Sequence, residues 1–293
     1  MHKIIVITGP TAVGKTKLSI ELAKKYDGEI INADAVQVYK GLNIGSAKVT
    51  EEEKEGIPHH LLDFKEVTEE YTIYHYQKDC REKIKEIQSR NKTPILVGGT
   101  GLYIKAALYD YKLSEEKSTN TYDNLTNEEL YEELKKLDKD IIIDKDNRRR
   151  LIRAINYYKE NNESINKNKT NKLLYNVIFI GLTTDRQVLY DKINKRVDEM
   201  ISQGLLEEVK SFYDKGIKSK PLLNAIGYRE LYNYLDGNGT KEEAIEKIKQ
   251  NSRHYAKRQY TFFNHQLPVV WFETDYNNFN NTIEKVASYI DSN

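Results

Sequence analysis

The chain opens on an unbroken apolar run, Ile4-Ile5-Val6-Ile7, followed by a glycine-rich turn and then by Leu18, Leu22, Ala23 and Tyr26 at helical spacing. Such a run bounded by turn residues predicts a strand buried on both faces, and the period after it predicts an amphipathic helix. The alternation continues with a strand over Glu29 to Asn32, a helix over Tyr74 to Arg90 and a strand over Pro94 to Val97. Alternating strands and helices predict a parallel sheet covered by helices, an α/β core. Between Lys112 and Lys172 the chain turns charged and Asn-rich, with helical patterns over Glu128 to Leu137 and Asn147 to Tyr158 and no strand pattern. These features predict a small helical insertion over residues 112–175, with the core domain formed by 1–111 and 176–293. The run Val177 to Ile180 restores the sheet, and helices are expected over Arg186 to Ile201, Leu205 to Asp214, Gly227 to Tyr234 and Lys241 to Phe263. Val269 to Phe272 reads as a last strand, and Asn161 to Asn171, nearly all polar, as a flexible surface connection.

Composition narrows the class. At 293 residues there is length for one α/β domain with an inserted lobe. A formal net charge of +1 gives no long-range attraction for a polyanion, so a nucleic-acid partner would be met by local patches. The longest mostly apolar stretch, Leu173 to Leu182, is short for a membrane span and is broken by Asn176, and no charged-then-apolar leader precedes the glycine-rich turn. The protein is therefore expected to be cytoplasmic and away from membranes. Cys80 is the only cysteine, which excludes an internal disulfide, and its spacing with Ile84 and Ile87 makes it a core residue.

The turn itself, Gly9-Pro10-Thr11-Ala12-Val13-Gly14-Lys15-Thr16, is a complete P-loop signature in the strand-loop-helix order that the motif requires. Backbone N–H groups in such a loop converge on a phosphate chain, Lys15 adds a point charge, and the Thr16 hydroxyl suits Mg2+. The second strand ends Asn32-Ala33-Asp34, and the carboxyl end of that strand faces the phosphate crevice. Asp34 is thus either placed to act on an acceptor or caps the next turn. The strand Pro94 to Val97 runs into Gly98-Gly99-Thr100-Gly101, which reads as a close backbone approach to a ligand or as a plain turn. No Asp follows that strand, unlike the metal-holding strand of ATP hydrolases, which leaves room for a leaving group other than ADP.

Arg196 falls inside the apolar stripe of Leu189, Ile193, Val197 and Met200, so it needs a buried anion, either a structural carboxylate or a bound diphosphate. Arg148, Arg149, Arg150 and Arg153 crowd one predicted helix of the insertion, as a solvated face or as phosphate contacts. On the long C-terminal helix, Ile248, Ser252, Tyr255, Gln259, Phe262 and Phe263 are expected on one side, leaving Arg253, His254, Lys257, Arg258, Tyr260 and Asn264 on the other. Cations mixed with hydrogen bonders and a ring suit unpaired RNA.

Taken together, GPTAVGKT, ADAVQVYKGLNIGSAK from Ala33, PHHLLD from Pro58, LVGGTGLYIKA from Leu96, RVDEMISQGLLEEV from Arg196, AIGYREL from Ala225 and YAKRQYTFF from Tyr255 resemble the bacterial tRNA dimethylallyltransferases over nearly the whole chain. The resemblance implies a P-loop NTPase-like parallel sheet flanked by helices, and transfer of the prenyl group of dimethylallyl diphosphate to N6 of adenosine 37 in the tRNA anticodon stem-loop. It implies that the loop from Gly9 to Thr16 (Gly9, Pro10, Thr11, Ala12, Val13, Gly14, Lys15, Thr16) cradles the diphosphate with Mg2+ at Thr16, that Asp34 is the general base, and that Thr100 and Arg196 complete the catalytic group. It also implies tRNA contacts at Asp34, Ala35, Val36, Gln37, Thr100, Arg149, Arg150, Arg153, Gly227, Tyr228, Arg229, Lys257, Arg258, Gln259 and Thr261, in a monomeric enzyme. The chain departs from the family pattern at Ala35, where Ser is usual, at Phe262, where Trp is usual, and in an insertion that is shorter and lacks a first helix after Ser114. The resemblance is to the bacterial members, so no zinc-finger extension of the eukaryotic kind is expected after the core. On the residues alone, a small-metabolite P-loop kinase, a nucleotide-dependent RNA-binding protein and a prenyltransferase of free adenine nucleotides stay open as alternatives.

Overall fold

The computed structural model describes residues 3–111, 113, 122–166 and 171–293. In chain order the elements are β1 (Ile4–Thr8), α1 (Lys15–Lys25), β2 (Gly28–Asn32), α2 (Glu51–Lys54), β3 (His59–His60), α3 (Ile73–Ser89), β4 (Thr93–Val97), α4 (Gly101–Leu108), α5 (Asn127–Leu137), α6 (Arg148–Asn161), β5 (Val177–Thr183), α7 (Arg186–Ser202), α8 (Leu205–Tyr213), α9 (Lys220–Asn224), α10 (Tyr228–Leu235), α11 (Lys241–Gln266), β6 (Val270–Glu273) and α12 (Phe279–Ser292).

The six strands form one sheet in the order β3-β2-β4-β1-β5-β6, and every neighbouring pair is parallel. β1 lies inside it, with Ile5 opposite Ile95 on one side and Ile178 on the other. Every residue of β1 is buried, which is why that segment reads as a continuous apolar run. The chain passes from β1 out to β2 beyond β4, and later returns to β5 on the other flank of β1. The carboxyl ends of β1, β4 and β2 therefore border a crevice at the reversal of strand order, the usual place for a ligand in such a sheet.

Each expected helix and strand of the core is present within a few residues. Four short elements and α12 were not legible in the pattern. α4 has Ile104, Ala106, Ala107 and Leu108 buried together, so it shows no amphipathic period. α12 does have one, with Val286, Ala287 and Ile290 buried, but it follows an Asn- and Asp-rich stretch that reads as loop. That stretch is a cap: Asp275 Oδ1 accepts from the N–H groups of Asn277 and Asn278.

The chain forms two compact units, one of residues 1–107 and 175–293 and the other from Leu108 to Leu174. The second unit is wider at its start than expected because its two ends pair with each other: Tyr109 bridges Leu173 in antiparallel fashion, and Asp110 N donates to Lys172 O at 2.8 Å. It has its own core of Tyr122, Leu130, Leu134, Ile141, Leu151, Ala154 and Ile155, built on α5 and α6. α5 starts with a reciprocal cap between Thr126 and Glu129. The expected absence of a helix after Ser114 falls on 114–121, outside the described residues, as does 167–170 of the expected polar connection.

Candidate active site

The loop behind β1 turns where only special backbone geometry fits. Gly9 has φ +130, and a Cβ there would lie 2.5 Å from Leu182 O. Ala12 (φ 68) and Gly14 (φ 93) are left-handed as well. Gly14 then opens α1, whose first N–H groups remain available to an anion. Lys15 Nζ donates to the carbonyls of Gly9 (3.1 Å) and Pro10 (2.6 Å). Burial, and then the charge of Arg196, push the Lys15 ammonium down to about 7 against the opposing pull of Asp34.

Three residues brace this loop from the C-terminal segment, and no motif in the sequence pointed to them. Thr274 Oγ1 donates to Val13 O at 3.0 Å, Tyr276 Oη donates to Ala12 O at 3.3 Å, and the Phe279 ring fills the space where a side chain at Gly14 would stand.

Asp34, just past β2, caps the next turn and also lines a cavity. Its Oδ1 accepts from Val36 N at 2.9 Å and Gln37 N at 3.4 Å, which caps the following turn. Its backbone is held by Asn32, whose side chain accepts from Asp34 N and donates to Asp34 O. One carboxylate oxygen is thus engaged in fixing the group, and the residue lines a cavity of about 950 Å3 together with Lys15, Thr16, Thr100 and Arg196. Thr100 Oγ1 accepts from Ala35 N at 3.1 Å, tying the β4 turn to the same loop.

The glycines after β4 are required by protein packing, and Gly98 and Gly99 also line the cavity. A Cβ on Gly98 would lie 2.2 Å from Ala33 O, one on Gly99 2.1 Å from Gln259 Nε2, and one on Gly101 2.3 Å from Phe262 Cδ1. The turn is threaded between β2 and α11.

Arg196 projects from α7 into the cavity, and Nη1 donates to Thr11 Oγ1 at 3.2 Å. No carboxylate forms an ion pair with it among the described residues; burial lowers its pKa, opposed by the more distant charges of Glu53, Glu199 and Asp34. The described residues thus offer no structural carboxylate partner, and the hydrogen bond of the guanidinium is to Thr11 in the loop behind β1.

Of the six residues expected on one side of α11, Ile248, Ser252, Tyr255 and Gln259 line the cavity. Tyr255 lies against Thr100 and Gln259, and burial followed by the charge of Asp34 pushes its hydroxyl up to about 12. The opposite face is narrower than the sequence suggests. Arg253 Nη1 donates to Asn194 Oδ1, and Tyr260 turns to the sheet, hydrogen-bonded to Thr183 and packed on Trp271. His254, Lys257, Arg258, Thr261 and Asn264 remain exposed, with the Arg258 guanidinium 5.6 Å from the Tyr255 ring centre at the cavity edge.

Among the residues expected to meet RNA, Gly227, Tyr228 and Gln259 are buried. Tyr228 is fully buried with its hydroxyl on Glu208, and Gln259 is 5 % exposed with Nε2 on Gly99 O at 3.0 Å. Tyr228 Oη and Gln259 Nε2 find protein partners, whereas Gln259 Oε1, buried on the cavity side of α11, has no hydrogen-bond partner among the described residues. Ala35, Val36, Gln37, Gly227 and Arg229 line the cavity, Arg229 being paired with the buried Glu230. In the inserted unit, Arg149 and Arg150 are exposed and Arg153 is half-buried, whereas Arg148 is used internally, donating to the carbonyls of Leu125 and Tyr122.

Residues 37–266 match the family model described as IPP transferase. The chain belongs to that family. As an IPP transferase it is 50% identical over 300 aligned positions to a tRNA dimethylallyltransferase of Anoxybacillus flavithermus, covering 99% of this chain and 96% of the relative. Among solved structures it is similar to a tRNA delta(2)-isopentenylpyrophosphate transferase from Staphylococcus epidermidis, with TM-score 0.77 and 40% identity, covering 100% of this chain and 99% of that one. It is also similar to a eukaryotic dimethylallyltransferase acting on tRNA, with TM-score 0.89 and 29% identity, covering 100% of this chain and 79% of that one. The P-loop NTPase-like α/β fold expected from the sequence is that of the family. No helix among the described residues of this IPP transferase is long and apolar enough to cross a membrane.

Proposed function

We propose that the chain transfers the dimethylallyl group from dimethylallyl diphosphate to N6 of adenosine 37 in tRNA. The C1–O bond to the diphosphate breaks, a C1–N6 bond forms, and the N6 proton passes to the free oxygen of Asp34. One observation carries the reading: Lys15, Arg196 and Asp34 line a single cavity, and the arginine rests on the phosphate loop. An exocyclic amine is a weak nucleophile, so the reaction needs charge stabilisation on the leaving diphosphate and proton removal at the amine. The two cations supply the first, and the carboxylate supplies the second, worth ~100 to 10,000-fold. Thr100 holds the loop that carries the base.

Mg2+ fits as a partner of the diphosphate. Thr16 offers an exposed hydroxyl at the start of α1, and no cluster of His, Cys, Asp or Glu suited to a metal exists among the described residues. A cation held by one hydroxyl, phosphate oxygens and water matches the habit of Mg2+, and it would neutralise charge on the departing diphosphate. The acceptor is the anticodon stem-loop. Lys257, Arg258 and Thr261 contact its backbone beside the cavity, and Arg149, Arg150 and Arg153 contact it from the inserted unit. The target base enters the cavity flipped out of its stack, at a cost of roughly a few kcal/mol offset by stacking on protein. The enzyme acts as a cytoplasmic monomer.

Incubation with unmodified tRNA, labelled dimethylallyl diphosphate and Mg2+, followed by digestion, should give labelled N6-prenyladenosine. Labelled ATP run in parallel should transfer nothing. Phosphate transfer without prenyl transfer would instead make the protein a kinase.

A further inference from the structure

Glu208 has no role in the chemistry above, yet its carboxylate is among the most heavily engaged of the core. It sits in the first turn of α8, which begins after Gly204 at φ +101. Oε2 accepts from the N–H groups of Asn43 (3.0 Å) and Ile44 (2.9 Å), and Oε1 from Gly45 N (3.2 Å) and Tyr228 Oη (2.5 Å). Three consecutive backbone N–H groups on one carboxylate form an anion nest, and bonds of this charge-assisted kind are about twice as strong as neutral ones. Tyr228 stays a donor, since burial and the adjacent Glu208 charge hold its hydroxyl protonated. Gly45 lies flat on the Tyr228 ring, where a Cβ would come within 2.5 Å of Cε2.

The loop held in this way leads to the base. The carbonyls of Ser46 and Ala47 accept from Gln37 Nε2 at 3.0 and 3.2 Å, and Gln37 N in turn donates to Asp34 Oδ1. Gly45, Ser46, Ala47 and Gln37 all line the same cavity as Asp34. A carboxylate on α8, outside the cavity wall, is thereby connected through the 43–47 backbone and Gln37 to the orientation of the carboxylate inside it.

We infer that Glu208 is a positioning residue for Asp34, acting through the 43–47 loop and Gln37; the inference rests on the reading of Asp34 as base. In Glu208→Gln the amide nitrogen replaces one accepting oxygen and meets backbone N–H groups donor to donor, so the loop shifts while the volume of the side chain is kept. A misplacement of about 1 Å at a reacting group costs about 100-fold.

The test is steady-state kinetics on tRNA, with Glu208→Gln alone and in the Asp34→Asn background. The single variant should lose about 10- to 100-fold in kcat with KM for dimethylallyl diphosphate within about twofold, and the double variant should be no slower than Asp34→Asn. An unchanged kcat in Glu208→Gln, or the same factor lost again in the double variant, would overturn the inference while leaving Asp34 as base. An Asp34→Asn enzyme as fast as wild type would overturn both. Should Glu208→Gln fail to fold, Gln37→Ala cuts the same connection at its other end and is held to the same outcomes.

Discussion

Arg196 Nη1 donates to Thr11 Oγ1 at 3.2 Å, joining α7 to the phosphate loop without any carboxylate between them. A guanidinium in an apolar stripe is costly to desolvate, and here its neighbour across the cavity is another cation, Lys15, whose pKa it lowers. Two cations facing each other are held apart in energy until an anion enters between them. Arg196→Ala should therefore lower kcat by about 100- to 1,000-fold, the loss typical of removing one donor from a developing charge. Arg196→Lys should recover only part of this, because the planar fork is lost. A change confined to KM for tRNA would place Arg196 in recognition instead.

Lys15 gives a pH signature. With its pKa at about 7 in the free protein, the amine is mostly neutral above that value, and a bound diphosphate pulls it back to the charged form. Binding then takes up a proton, so affinity is full below about 7 and falls as pH rises through it, by about tenfold per unit up to about pH 9. Titration calorimetry with dimethylallyl diphosphate in buffers of different ionisation enthalpy measures this uptake. In Lys15→Ala, binding should be weak and independent of pH over that range.

Arg258 stands exposed on α11 at the cavity edge, above the Tyr255 ring. Arg258→Ala should weaken tRNA binding and reduce the slope of log K against log salt by about one, the release of one phosphate contact, with donor binding unchanged. Filter binding over a salt series reads both quantities.

Stability carries its own test at the amino end of β2. Glu29 is 4 % exposed and accepts from His60 Nε2 at 2.6 Å and from Arg90 Nη2 at 2.7 Å, joining β3 and the end of α3 to the sheet. Burial pushes this carboxyl up, but the bonds to Arg90 and His60 outweigh it and hold the pKa below the ordinary 4.5. Its contribution is therefore complete above 4.5 and lost as pH falls through the lower folded value. Glu29→Ala should cost about 3 kcal/mol in urea unfolding near neutral pH, and the difference from wild type should shrink in acid.

Much of this site is legible without coordinates. The phosphate loop is so because its glycines are forced by backbone geometry, and Asp34 because strand order puts the end of β2 at the crevice. Arg196 is legible because a charge among Ile193 and Val197 violates the period of its helix. What stays hidden has common causes. Gly98 and Gly99 signal a close approach, but pattern alone does not say whether a ligand or Ala33 and Gln259 does the approaching. Arg253 and Tyr260 share a helical face with Lys257, yet α11 is flanked by α7 on one side and Trp271 on another, so it has no single solvent face. Thr274, Tyr276 and Glu208 act on backbone atoms far away in sequence, and such contacts leave no local signature.

The most direct test of the account is Asp34→Ala, followed by single-turnover kinetics with saturating tRNA and dimethylallyl diphosphate alongside equilibrium tRNA binding. Prenyl transfer to N6 should fall by about 100- to 10,000-fold while tRNA affinity changes by less than about threefold. A variant that loses tRNA affinity but transfers at the wild-type rate once saturated would contradict it, leaving Asp34 a recognition residue.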